Sequence, residues 1–236
     1  MILRLLIPAL IAGIAGGFVV TGLHQTMVVP MIDAAEAIAH GHDHGHDHDH
    51  GDHAHENGDH GHSHDGWMPT PGGERFSFTL LSNVLAGTGF ALLLTAGMVL
   101  PRSSLTVRHG LVWGAAGFVT FMLAPSLGLP PELPGAAHAP LEERQLWWLG
   151  TVIATGGGLA TIAFAQPLWA KAIGVVPLLV PHVIGAPGPA EGLAGVISPE
   201  LASQFVVVSL TTGLVFWLIL GGVAATVLQR VSRRPA

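Results

Sequence analysis

Apolar residues run almost unbroken through six stretches, about residues 5–31, 77–100, 109–128, 146–166, 172–186 and 203–228, and polar residues gather between them. Five of the six reach or exceed the roughly 20 residues that an α-helix needs to cross the hydrocarbon core of a bilayer. The pattern predicts an all-α integral membrane protein. The fifth stretch, 172–186, is the exception. Its length spans only about 22 Å at the helical rise of about 1.5 Å per residue, against a core of about 30 Å. It also holds Pro177 and Pro181, so it reads as a thin, broken span or a re-entrant piece.

Basic residues decide between those two readings, because cytoplasmic loops are enriched in Lys and Arg. With six spans and both termini cytoplasmic, Arg4, Arg102, Arg108, Lys171, Arg230, Arg233 and Arg234 lie inside, and Arg75 and Arg144 outside. If 172–186 fails to cross, the three C-terminal arginines move outside and the bias vanishes. About six transmembrane helices in the cell inner (plasma) membrane is therefore the expectation. The N-terminal apolar run is also longer than the 7–15 residues of a signal-peptide core, which favours an uncleaved first span despite the A-x-A-like Ala35-Glu36-Ala37.

Composition agrees. Half of the 236 residues are hydrophobic and a tenth are charged, where soluble domains average about a quarter charged. The net charge of −6 is local: seven of the fifteen acids fall in residues 40–66, which contain no Lys or Arg. The remainder carries about one positive charge, so no basic face for a nucleic-acid partner is present. The chain divides into 1–39, the first span with its outer flank; 40–66, a loop; and 67–236, five further membrane segments.

The loop carries the chemistry. His40, His42, His44, His46, His48, His50, His53, His55, His60, His62 and His64 are threaded with Asp, Glu and Gly, and the six-span topology places them in the periplasm or exterior. Neutral imidazole binds divalent transition metals near pH 7. In an extended chain residues i and i+2 point the same way, so the repeated H-x-H spacing lets successive rings close on one ion. The interleaved acids lower the electrostatic cost of holding a dication. Such low-complexity sequence cannot build a core and is expected to be disordered without metal. Cysteine is absent, so every metal ligand must be nitrogen or oxygen, with Met as a weak addition.

A sparser polar set falls on the same outer side. His24 and Gln25 lie late in the first span, Asn83 early in the second, and Pro125 and Ser126 close the third. Glu132 follows in a Pro-rich segment; Gln145 and Thr151 open the fourth span, His182 lies late in the fifth, and Glu200 and Gln204 open the sixth. Polar and ionisable groups within a membrane usually face a bundle interior or an aqueous cavity. Convergence would build a vestibule with His24, Asn83, Glu132 and His182 as candidate metal ligands. The blander alternatives are interfacial hydrogen bonding for the two histidines, an interhelical hydrogen bond for Asn83 and loop capping for Glu132. Asp33 and Glu36 read as solvated, and His109 and His138 carry no role.

The glycine patterns Gly13-xxx-Gly17, Gly110-xxx-Gly114, Gly156-Gly157-Gly158 and Gly221-Gly222 read as helix-packing features. No G-x-x-x-x-G-K-[ST] occurs, so the chain carries no ATPase motif of that kind, and no H-E-x-x-H supports a metalloenzyme. Trp147 and Trp148, with Trp113 and Trp169 opposite, read as an aromatic belt.

Several of these residues also carry a resemblance. His24-Gln25 with Val28-Val29-Pro30, Leu80-Leu-Ser-Asn-Val-Leu85, the block Leu123 to Gly135, Arg144-Gln-Leu-Trp-Trp-Leu-Gly-Thr151 and Leu179 to Pro187 are similar to the CbtA family of probable cobalt transporter subunits. The resemblance spans nearly the whole chain. It implies a membrane subunit, not an enzyme, that serves cobalt uptake for cobalamin biosynthesis, and a small single-span CbtB-like companion. The family is usually described with five spans, whereas the charge count here gives six. Residues and resemblance together predict uptake of a divalent metal, Co²⁺ first with Ni²⁺ or Zn²⁺ as alternatives, and no tightly bound cofactor. A Ni/Co efflux protein and a non-transporting metal-sensing or buffering subunit are the rival readings. A homo-oligomer stays open.

Overall fold

The computed structural model describes residues 2–43, 69–70, 72–100, 105–189 and 195–232, with the side chains of 40–43 outside the description. Among these residues the chain is helical, without strands. A first rod comprises α1 (Ile2–Leu23), a π-helical turn (His24–Val28) and α2 (Val29–Asp43). Then come α3 (Gly73–Val99), α4 (Val107–Phe118), a second π turn (Val119–Leu123) running into α5 (Ala124–Ser126), α6 (Leu141–Phe164), α7 (Leu168–Ile173), α8 (Val175–Ile184) and α9 (Pro199–Ser232).

The two π turns share a cause. Each is followed two residues later by proline, Pro30 and Pro125. A proline ring inside an α-helix collides with the carbonyl one turn back. The wider turn, closed by Val29 N–H on His24 O and by Ala124 N–H on Val119 O, moves that carbonyl aside and lets the helix continue.

α9 is the axis of the bundle, packed against α1, α3 and α4. Glycine sets the approach distances. A Cβ on Gly13 would fall 2.5 Å from the Thr88 backbone nitrogen, and one on Gly17 2.8 Å from Val84 Cα, so α1 and α3 touch backbone to backbone. Of the glycine triplet only Gly158 is such a contact, lying against Gly174 and Leu178; Gly157 has nothing within 4 Å. The main core surrounds Trp217 and Leu220 of α9, with Phe90 and Phe121 packed on the Trp217 ring. A second, smaller core lies at one end, where Val28 and Ala35 meet Leu133 and Phe205.

Among the described residues five helices are long and apolar enough to cross a membrane: Ile2–Ala39, Gly73–Val99, Val107–Ser126, Leu141–Phe164 and Pro199–Ser232. The expected fifth span is instead two short helices, α7 and α8. Its interruption falls at Gly174 between them, and Pro181 sits inside α8 rather than ending it. α8 runs antiparallel to α6, with Gly174 beside Gly158 and His182 beside Trp147. The pair thus returns the chain to the end where α6 began, and α9 crosses back so that Arg230 and Ile11 line one cleft near the opposite end.

Candidate functional site at the acidic end of the bundle

The helix directions sort charge between the two ends. Every described carboxylate side chain, Asp33, Glu36, Glu74, Glu132, Glu142, Glu143 and Glu200, lies at the end where α2 finishes and α3, α6 and α9 begin. Arg4, Arg108, Lys171 and Arg230 lie at the other. Two arginines share the acidic end, and both are paired. Arg75, in the first turn of α3, reaches Asp33 at 3.5 Å and Glu36 at 3.7 Å, which stand one turn apart on α2. These two acids were expected to be merely solvated. Glu74 next to them accepts hydrogen bonds from the Thr70 backbone N–H and hydroxyl.

Arg144 is the more enclosed of the two arginines. Its guanidinium lies 2.9 Å from Glu132 Oε2, and the two side chains are only 27% and 24% exposed. The Pro-rich segment before α6 fixes the carboxylate. Leu133, the next residue, is buried in the end core. Beyond it Gly135 adopts φ +83 and accepts a hydrogen bond from Val196 N–H, with Val196 and Ala39 close around it. The ion pair borders a cavity of about 380 Å³ between the third and fourth spans, whose wall includes Pro125, Ser126, Gln145, Phe121 and Trp148. Arg144 Nε and Trp147 Nε1 are buried and have no hydrogen-bond partner among the described residues, and the same holds for Thr155 Oγ1 in mid-span.

The expected vestibule residues fall into two pairs. On the α1–α3 side, half-buried His24 opens the first π turn, and Asn83 donates from Nδ2 to Thr21 Oγ1 at 2.9 Å. Asn83 therefore makes the interhelical hydrogen bond named as its blander role. On the other side, α6 gathers the remaining two: Glu132 meets Arg144, and His182 sets its ring edge-on to Trp147 at 6.1 Å. Among the described residues no three His, Asp or Glu side chains stand close enough to hold a metal ion. Ser126 Oγ is turned to the Met122 carbonyl and Thr151 Oγ to that of Trp147, while Glu200 and Gln204 are exposed. His109, which had no assigned role, accepts a hydrogen bond from Trp113 Nε1 at 3.0 Å, beside an apolar cavity of about 670 Å³ between α4 and α6.

Of the loop histidines, His40 and His42 fall on the last turn of α2, which extends four residues into the stretch expected to be disordered. His44, His46, His48, His50, His53, His55, His60, His62 and His64 lie outside the described residues. The Arg144 pairing escaped the sequence reading, although one signal was present. Arg144 is one of only two arginines on the side where positive charge is rare.

A family model described as probable cobalt transporter subunit (CbtA) matches residues 2–229. The chain belongs to the CbtA family. It is thus a multi-pass membrane protein of a family assigned to cobalt transport, and the match takes in the acidic end, both paired arginines and the His-rich stretch. No curated protein matches the chain, and no solved structure does.

Proposed function

We propose that this chain is the membrane subunit of a Co²⁺ uptake system that supplies cobalamin biosynthesis, with a small single-span CbtB-like companion. In this reading both termini are cytoplasmic and the His-rich loop faces the periplasm or exterior. The loop raises the local ion concentration through weak, fast-exchanging imidazole contacts. Ions then pass to the acidic end of the bundle, along a route to which His24 and Asn83 on the α1–α3 side and Glu132 and His182 on the α6 side contribute. Binding there must be weak, since an ion held tightly cannot leave. No resident cofactor takes part; the dication is cargo.

One observation carries the reading: all described carboxylates collect at the end from which α2 leads into the His-rich stretch and to which α3 returns. A dication concentrated by the loop meets negative charge where it reaches the bundle. The charge sorting also supports the orientation. Of the described basic side chains, Arg4, Arg108, Lys171 and Arg230 lie at the end assigned to the cytoplasm and only Arg75 and Arg144, both paired with carboxylates, at the acidic end. The membrane potential then favours inward movement of a cation, by about 2.3 kcal/mol per charge for each 100 mV.

The test is uptake of radiolabelled Co²⁺ into proteoliposomes holding the purified chain, alone and with the single-span companion. Uptake that saturates, and that an inside-negative potential speeds, is expected in at least one of the two. No uptake in either, from protein that binds Co²⁺ normally, refutes transport and leaves the buffering subunit.

A further inference from the structure

We propose that Arg144 is a valence filter: it occupies the Glu132 carboxylate against monovalent cations and yields it only to a dication. The inference rests on the reading of the acidic end as the ion's route.

The geometry is that of a competitor already in place. Arg144 lies 2.9 Å from Glu132, both are mostly enclosed, and both border the same cavity. A cation arriving at Glu132 therefore meets a carboxylate already neutralised by a guanidinium rather than a free one. Na⁺ or K⁺ brings no more charge than Arg144, and it must shed a hydration shell to compete with a tethered, weakly hydrated group. That exchange gains nothing. A first-row dication gives up more hydration per water shed, but it need exchange only one or two waters, and at about 2.0–2.2 Å from a carboxylate oxygen its direct attraction is roughly threefold that of Arg144 at equal dielectric.

The displaced guanidinium has somewhere to go. Its Nε has no partner among the described residues, and the Ser126 hydroxyl and Gln145 side chain line the same cavity as acceptors. Arg144 can thus shift within the cavity. From there its charge repels the ion it admitted, which keeps the site loose enough for release. A metal site built for retention would exclude an arginine; a site for passage gains from one.

The experiment is radiolabelled Co²⁺ uptake by the full-length chain with its companion in proteoliposomes, with rising external Na⁺, for wild type, R144Q, R144K, E132Q and E132Q/R144Q. R144Q should lower the half-saturating cobalt concentration roughly tenfold, reduce the maximal rate, and make uptake sensitive to Na⁺ at levels that leave wild type unaffected. The double variant should lose that Na⁺ sensitivity, since the carboxylate is gone. An R144Q protein with wild-type half-saturation and no Na⁺ sensitivity overturns the filter, as does a half-saturation raised to the E132Q level. If R144Q aggregates during size-exclusion chromatography, R144K decides: it must keep the wild-type resistance to Na⁺, and losing it overturns the proposal. Absence of uptake by the wild-type protein removes the transport reading and the filter together, whereas wild-type uptake that R144Q leaves unaltered removes the filter alone.

Discussion

Gly110 and Gly221 lie so close that a Cβ on Gly110 would sit 2.3 Å from the Gly221 carbonyl oxygen, and one on Gly221 2.1 Å from that of Gly110. The neighbours are backbone atoms and the rigid Cβ of Ala225, so neither helix can yield without moving as a whole. In lipid, where the hydrophobic effect does not drive helices together, this proximity is what holds α4 on α9. Gly221→Ala and Gly110→Ala should each destabilise the solubilised protein by about 1–3 kcal/mol, the usual cost of overpacking. Gly157→Ala, with open space around it, should be neutral or slightly stabilising. Thermal unfolding in one detergent checks all three, and equal melting temperatures would contradict the close approach.

The Asn83–Thr21 hydrogen bond links α3 to α1 at membrane depth. A double-mutant cycle of Asn83→Leu and Thr21→Val should give a coupling near the 0.6 kcal/mol average for such bonds, with about 1.7 as the ceiling. Zero coupling would mean that the two side chains do not meet in the membrane.

Replacing His182 by Ala should reduce cobalt uptake at every cobalt concentration, because the ring stands at the acidic end against Trp147, past which ions are proposed to travel. Trp147→Phe, which keeps an aromatic surface but removes the unpartnered N–H, should alter uptake less. An unchanged rate in His182→Ala takes that residue out of the route.

Deleting residues 44–64, which spares α2 to its end, should weaken uptake when cobalt is scarce and spare it when cobalt is abundant. Equal loss under both conditions contradicts a gathering role. The same logic predicts a pH effect. Only neutral imidazole binds metal, so scarce-cobalt uptake should decline as the external pH falls through about 6.5. The deleted variant should lack that decline.

Orientation can be read directly, since the chain has no cysteine of its own. Ser63→Cys should react with an impermeant maleimide on intact cells, whereas Ser103→Cys and Ser232→Cys should react only after permeabilisation. Labelling of Ser232→Cys from outside would mean that α7 and α8 do not carry the chain across.

The long spans were legible because a bilayer imposes one coarse requirement, about 20 apolar residues in a row, that five helices meet. The short segment was legible as an anomaly, yet the place of its break was not. Pro177 and Pro181 drew attention, but Pro177 falls in the first turn of α8, where its missing N–H costs nothing, and the interruption came at Gly174. The candidate site was legible as a list of residues and not as partnerships. Polar spacing puts Glu132, Arg75 and Asp33 at one end of the bundle, but pairing depends on which helices adjoin. No periodicity announces that α6 would bring Arg144 to Glu132 or that α2 would extend far enough to meet Arg75. The π turns were hidden for a related reason: a proline in an apolar run signals disturbance without saying whether the helix breaks or widens.

α9 has a consequence beyond its packing. At 34 residues it is about 51 Å long, and it belongs both to the large core around Trp217 and to the small one holding Leu133. A stiff rod anchored in two places behaves as a lever: a tilt of some 10° about its middle swings each tip by roughly 4 Å, in opposite directions. A displacement of α9 at Phe205, beside Leu133, is therefore carried along one unbroken helix to Leu228 near its far end.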